Sequence, residues 1–168
     1  MMERVLSWAL GLTLAVLLLV VVFLQLTGPT PNPVFGLLAA KSHIGLFEPY
    51  GRYLVALLEV AAIVGVVYPR TRSQGALLGL IVALLAIVMQ LSPWLGVQLP
   101  QGAAVSQALA QGRSAADIAA MGLPTDKGGM FLLALAIAVL SAGTMFVEKA
   151  KVRAMTTKKA KKPIGAFA

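Results

Sequence analysis

Four long apolar segments, with few charged residues among them, limit what this sequence can fold into. They cover residues 5–26, 50–68, 75–91 and 128–147. An α-helix needs about 20 mainly apolar residues to cross the hydrocarbon core of a bilayer, and each segment is close to that length. Charged residues make up only 12% of the chain, whereas a typical soluble domain carries about 25%. We therefore predict an all-α fold, a bundle of four transmembrane helices.

The distribution of basic residues predicts the orientation of this bundle. The bundle takes up residues 1–148, and a basic tail follows over 149–168. The first segment is too long for the apolar region of a signal peptide, so we expect it to stay as a helix. Ten of the 14 basic residues lie on the side of the two termini and of the turn at 69–74; the other four are Lys41, Arg52, Arg113 and Lys127. Since cytoplasmic loops are enriched in Lys and Arg, we expect cytoplasmic termini in the inner membrane of a bacterial cell.

The first outer connection, residues 28–49, carries a signal for a short interfacial helix. Its prolines prevent a direct continuation of the first segment. Asn32 followed by Pro33 is typical of an N-cap and the first helical position. We therefore predict a short helix over 33–41 on the outer surface.

The second outer connection, residues 92–127, carries a similar signal. Ser114 and Asp117 have the spacing of a capping box in its acidic variant. They predict a short helix over 115–121, with Ile118 and Met121 facing protein or the lipid interface, after a turn or two of helix at 105–111. A loop of this length could be a lid, a docking surface or a plain spacer.

Glu59 is the ionisable residue that lies well inside a predicted span. A carboxyl group in mid-membrane costs about 2.5–3.5 kcal/mol on insertion scales, so it usually faces the bundle interior and has a partner. Three roles are open for it: a proton relay, a ligand contact, or a protonated acid hydrogen-bonded to a neighbouring helix. Arg52 lies two helical turns earlier on nearly the same face, about 10 Å away along the axis.

Several other polar residues lie at the outer ends of the spans. These residues are Gln25, His43, Glu48 and Gln90. Together with Arg52 they could form a polar mouth on the outer side of the bundle. Glu59, Arg52, Gln90, Gln25 and His43 are therefore our candidates for ligand binding or proton relay. Smaller polar residues, including Ser7, Ser141 and Thr144, are expected to pack between helices, as is the pair Gly75 and Gly79.

The residue content restricts the chemistry that this chain can perform. Cysteine is absent, and His43 is the single histidine. Disulfides, thiolate nucleophiles, Cys-ligated metal centres and a bis-His haem within one chain are therefore excluded. No catalytic residue, no metal site and no intrinsic cofactor is expected, and an independent enzymatic activity is not predicted. A quinone or a lipid is the ligand class that such a bundle could take.

From residue 149 onward, the tail carries seven basic residues and no acidic residue: Lys149, Lys151, Arg153, Lys158, Lys159, Lys161 and Lys162. Each basic residue close to an anionic leaflet contributes about 1 kcal/mol to membrane association. We predict contacts with anionic lipids for this tail. Nucleic acid is not expected as a partner, because the charge directly follows a membrane span.

Four stretches in the middle of the chain carry a family resemblance: RYLVALLE from Arg52, YPRTRSQGAL from Tyr68, MQLSPWLGV from Met89 and DKGGMF from Asp126. In their order and spacing they resemble the DoxX-like family of small four-helix membrane proteins. The resemblance covers about residues 48–140, with 101–125 as an insertion. The family's recurrent helix-two glutamate and arginine turn would correspond to Glu59 and to Arg70 and Arg72, whereas Gln90 stands where relatives commonly have histidine.

The resemblance implies a four-helix fold and a place in redox biology, since some members resemble a subunit of thiosulfate:quinone oxidoreductase. We expect an accessory subunit of a membrane-embedded electron-transfer or quinone-linked complex, with other membrane subunits as partners. The alternative is a quinone- or lipid-binding oxidoreductase component that uses Glu59 and Arg52. A small transporter is the least favoured class, because the spans show little polar lining and no evident inverted repeat.

Overall fold

A computed structural model describes residues 2–100 and 102–160, with side chains described for residues 4–100 and 102–153. The described residues form helices, with a single 3₁₀ turn at Gly45–Phe47. The α-helices are α1 Met2–Thr27, α2 Pro33–Ser42, α3 Tyr50–Val67, α4 Arg72–Leu91, α5 Ala103–Ala110, α6 Ala115–Ala120 and α7 Gly129–Ala160. The predicted all-α class is confirmed.

Four helices in the described part of the chain, α1, α3, α4 and α7, are long and apolar enough to span a membrane. Helix α1 packs against α3 and α7, and α4 packs against α3 and α7, so the four helices form a closed ring. Neighbours around the ring run antiparallel because each span returns the chain to the opposite side. The chain is an integral membrane protein built as an up-and-down four-helix bundle.

Most helix ends fall close to the predicted positions, and three differ by three residues or more. Helix α1 begins at Met2, whereas we predicted 5. Helix α4 begins at Arg72, whereas we predicted 75, because the carbonyl of Thr71 already accepts a helical hydrogen bond from the Gly75 N–H at 2.9 Å. Helix α7 continues past the predicted end at 147 to Ala160. No proline or glycine interrupts residues 144–162, and Ala, Lys, Arg and Met favour helix. The first part of the basic tail therefore extends the fourth helix.

Small residues let α3 and α4 approach each other closely. A Cβ atom added to Gly75 would lie 2.3 Å from the backbone nitrogen of Val66 and 2.4 Å from the carbonyl carbon of Gly65. At Gly79 an added Cβ would lie 3.2 Å from the Ser141 hydroxyl of α7. The expected packing role of the glycine pair is confirmed. The core of the bundle consists of Leu14, Ala15, Leu18, Ala62, Val66, Ala76, Ala83, Ile137 and Ala138.

A second, smaller core lies outside the bundle. We call it the outer cap, and its buried residues are Leu37, Leu38, Leu95, Leu99, Val105, Ala108 and Ile118. The predicted caps hold its helices: the Asn32 side chain accepts from the Val34 N–H at 3.0 Å, and Ser114 with Asp117 forms a complete capping box. Ile118 is buried against protein as expected. Met121 is exposed, and its position at the lipid interface stays a prediction.

Asp126 joins the outer cap to the start of α7. Its Oδ1 accepts from the Leu99 N–H at 2.9 Å, and its Oδ2 accepts from the Met130 N–H at 2.9 Å. The Asp126 N–H in turn donates to the Leu99 carbonyl at 2.9 Å. One side chain thus fixes the position of the cap on the bundle.

Candidate functional site

The buried face of α3 carries Glu59 into the interior of the bundle. Arg52, Ala56, Glu59, Ala62 and Val66 are the buried residues of this helix. Their spacing of three or four residues forms a single stripe along the helix. Glu59 is only 4% exposed, in the middle of the stripe. The predicted common face for Arg52 and Glu59 is therefore present.

Glu59 and Gln90 line one cavity of about 70 Å³ between the spanning helices. Gln90 lies near the outer end of α4 and is 5% exposed. The rest of the lining is apolar and comes from three helices, α1, α4 and α7: Leu18, Val21, Val82, Ala83, Ala86, Met130, Leu133, Ala134 and Ile137. The cavity thus pairs a carboxyl group and an amide with an otherwise hydrocarbon-like wall.

Both polar residues of this cavity present a buried oxygen atom that lacks a partner. Glu59 Oε2 and Gln90 Oε1 accept no hydrogen bond from the residues that the structure describes. A buried polar atom left unpaired costs about 1–3 kcal/mol. Three roles were open for Glu59. The described residues form no hydrogen bond between the Glu59 carboxyl group and a neighbouring helix, so that role is not observed. A ligand contact and a proton relay remain.

Arg52 belongs to a second polar group, nearer the outer surface. Its guanidinium lies 3.4 Å from Glu48 Oε1 and donates to the Tyr53 hydroxyl at 3.1 Å. Gln25 of α1 donates from Nε2 to the Arg52 carbonyl at 2.9 Å. The Asn32 N–H donates to Glu48 Oε1 at 3.1 Å. We call these residues the outer cluster; it ties α1 and the first outer connection to the start of α3.

The structure thus divides the predicted polar mouth. Gln25, Glu48 and Arg52 come together in the outer cluster, while Gln90 faces the cavity with Glu59. The Arg52 guanidinium is turned to Glu48, and no direct contact joins Arg52 to Glu59 in the described structure. His43 lies exposed at the C-terminal cap of α2 and is absent from the cavity lining.

At the opposite end of the bundle, Arg72 is the centre of a buried ionic network that the sequence reading missed. Its Nε donates to the Val66 carbonyl at 2.9 Å, and its Nη1 donates to the Ser7 hydroxyl at 2.7 Å. Glu148 Oε1 lies 3.6 Å from the same Nη1 and also accepts from Ser7. The side chain of Arg72 is 2% exposed. Four helices are joined at this point.

Two more side chains complete this inner network. The Trp8 ring stacks on the Arg72 guanidinium, with 4.1 Å from Cζ to the ring centroid. Lys151 donates to Glu148 at 3.0 Å, so one of the residues predicted to bind anionic lipid is engaged within the protein. Lys149 is exposed. The side chains of Lys158, Lys159, Lys161 and Lys162 lie outside the described residues.

Comparisons with protein-family models, with curated proteins and with solved structures find no match to this chain. The site must therefore be interpreted from its own geometry. Within the described residues no three His, Cys, Asp or Glu side chains are grouped so that they could hold a metal ion. The cavity has two oxygen acceptors and an apolar wall, which suits a small neutral molecule that carries a hydrogen-bond donor.

Proposed function

We propose that this chain is a DoxX-like accessory subunit of a membrane-embedded, quinone-linked electron-transfer complex. The observation that carries the proposal is the buried carboxyl group of Glu59, which faces a cavity and has an oxygen without a partner in the described structure. Ionisable residues inside membrane spans are costly to insert and mark ligand or proton pathways. In this proposal the subunit supplies a polar group at that depth, and a partner subunit supplies the electron carrier.

Two features support the proposed attachment to other subunits. The outer cap is a packed unit with its own core, held to α7 by Asp126. It also presents exposed apolar side chains: Ile44, Leu46, Trp94, Val97 and Met121. Exposed apolar groups on a rigid platform are suited to contact with protein or with the membrane interface.

The proposed location is a bacterial inner membrane, with both termini in the cytoplasm. The excess of basic residues at the ends of α1 and α7 and at the turn between α3 and α4 supports this orientation. Exposed aromatic rings of Tyr50, Tyr53, Tyr68 and Trp94 near span ends are consistent with interface positions.

The second candidate, a quinone- or lipid-binding oxidoreductase component, is favoured by the same cavity. In that case Glu59 and Gln90 would contact the ligand. Arg52 would act from a distance, because its guanidinium pairs with Glu48 in the outer cluster. The two candidates differ in whether the electron-transfer step needs a partner chain.

A comparison of Glu59→Gln with wild type tests the proposed function. Membranes that carry either form would be assayed for quinone-linked electron transfer, and assembly would be followed on native gels. We expect reduced turnover with the assembly intact, because the substitution keeps the size of the side chain and removes its acidic group. Gln74→Glu makes the reverse change at an exposed position of α4 and serves as the matched control. Unchanged turnover in Glu59→Gln, or a native gel with the chain always alone, would overturn the proposal.

A further inference from the structure

The cavity between the spans has a composition that limits what can bind in it. Its two polar atoms without partners in the described structure, Glu59 Oε2 and Gln90 Oε1, are both oxygens. An amide oxygen only accepts hydrogen bonds, and a carboxylate does the same. A ligand that offers only acceptors, such as a carbonyl compound, would therefore leave Gln90 Oε1 unsatisfied.

We infer that this cavity binds the hydroxyl group of a membrane-soluble alcohol or phenol. A hydroxyl group donates one hydrogen bond and can also accept, so it suits Gln90 and suits Glu59 whether the acid is ionised or protonated. This hydroxyl site deepens the proposed function and rests on it in one respect: the ligand comes from the membrane. A hydroquinone belongs to this class, whereas the corresponding quinone has no donor for Gln90 Oε1.

The size of the cavity determines how much of the ligand enters. An engineered apolar cavity of about 150 Å³ holds a whole benzene ring, and the cavity here measures about 70 Å³. It takes a hydroxyl group and the adjoining carbon atoms. The rest of the ligand must extend between the helices towards lipid.

The lining argues against a charged ligand at the same place. Two oxygen atoms are too few for a calcium ion, which takes about 6–8 oxygen ligands. The apolar walls, formed by residues such as Leu18, Val82 and Ile137, offer no compensation for a buried charge. A neutral molecule with a donor satisfies the two unpartnered oxygens of the described lining.

Two fluorinated probes of nearly equal size test the inference on the purified wild-type protein. 4-Fluorophenol carries a hydroxyl group, and 4-fluorotoluene carries a methyl group in its place. Binding would be measured by fluorine NMR in detergent micelles, with protein-free micelles subtracted to remove partition into detergent. We expect saturable binding of 4-fluorophenol at one site, about tenfold tighter than that of 4-fluorotoluene, the effect of one buried hydrogen bond.

Substitutions of similar size then locate the site. Glu59→Leu and Gln90→Leu each remove one acceptor and should weaken the preference for 4-fluorophenol, and the double variant should abolish it. Gln74→Leu makes the same change at an exposed position of α4 and should retain the preference. Equal affinities of wild type for the two probes, or a preference that survives both cavity substitutions, would overturn the inference. The wild-type comparison stands even where a variant does not fold.

The outcome separates this inference from the proposed function. A chain that assembles with partners and supports quinone-linked turnover, but shows no preference for 4-fluorophenol, would refute the hydroxyl site alone. A chain that prefers 4-fluorophenol but purifies without partners would support the site and refute the accessory role.

Discussion

Replacing Gly75 with alanine should separate α3 from α4, because the backbones of the two helices meet at this residue. The added Cβ would lie 2.3 Å from the Val66 nitrogen, whereas ordinary contacts begin at 3.4 Å. The difference, 3.4 − 2.3, is 1.1 Å, and it must come from movement of one helix. The nearest atoms are backbone atoms, so no side-chain rotation can relieve the contact.

The expected cost follows from two opposing effects. Overpacking costs about 1–3 kcal/mol and occasionally more, and the rigid backbone neighbours favour the upper end of this range. The higher helix propensity of alanine offsets this by about 1 kcal/mol, since it stabilises the folded state relative to glycine. We expect a net loss of about 2 kcal/mol in the free energy of unfolding for Gly75→Ala, by the difference of these effects.

Gly143→Ala in α7 is the matched control, since its added Cβ would come no closer than 3.9 Å to Leu10. It should be neutral or stabilise by up to about 1 kcal/mol. Both variants would be unfolded with SDS in mixed micelles, followed by circular dichroism. Unfolding of Gly75→Ala at the same SDS fraction as Gly143→Ala would refute the packing of α3 against α4.

Three further substitutions test other parts of the structure. Glu148→Gln should lower the free energy of unfolding by about 2 kcal/mol in the same assay, because a buried charge on Arg72 loses its anionic partner; an unchanged midpoint would contradict the network. Asn32→Ala should cost about 1 kcal/mol through loss of the cap of α2, and no change would contradict the observed cap. Ser114→Ala should fray α6, visible as faster hydrogen exchange of its amides. Donation from the Ser114 hydroxyl and N–H lowers the pKa of the Asp117 carboxyl group. The capping box therefore stabilises α6 fully above the ordinary carboxyl pKa, and this stabilisation is lost as the pH falls through the lowered pKa of Asp117. Equal exchange in wild type and variant, or exchange in wild type that does not change with acid, would contradict the capping box.

Local chemistry explains why the elements of this fold were predictable. Uninterrupted apolar runs of about 20 residues have few alternatives to a spanning helix. Asn32 before Pro33 and the Ser114–Asp117 pair act on backbone groups within a few positions, so their roles can be read directly from the sequence. The extra length of α7 was missed because we took the onset of charge at Glu148 as the end of the helix, although nothing there breaks it.

Long-range contacts explain what could not be predicted. Ser7, Arg72 and Glu148 are far apart in the sequence, and only the closed ring of helices brings them together. We interpreted Arg72 as a topology signal and Ser7 as a packing residue. The high burial of the Arg72 side chain is unusual for arginine, and no sequence pattern indicates it.

The candidate site could be predicted only in part. The position of Glu59 in a span made it a candidate, and the stripe along α3 was readable from its spacing. Which residue shares its cavity depended on how α4 is turned against α3. In the structure Gln90 lines the cavity with Glu59, and Arg52 pairs with Glu48. Side-chain direction of this kind follows from packing across the whole bundle.

Native mass spectrometry of the wild-type chain, released from membranes in mild detergent, tests the accessory role and the cavity ligand together. We expect an assembly that contains this chain, at least one other polypeptide and a small neutral molecule. The double variant Glu59→Leu with Gln90→Leu should keep the polypeptides and lose the small molecule. A wild-type chain detected only as a single polypeptide, without partner or bound molecule, would contradict both the accessory role and the ligand site.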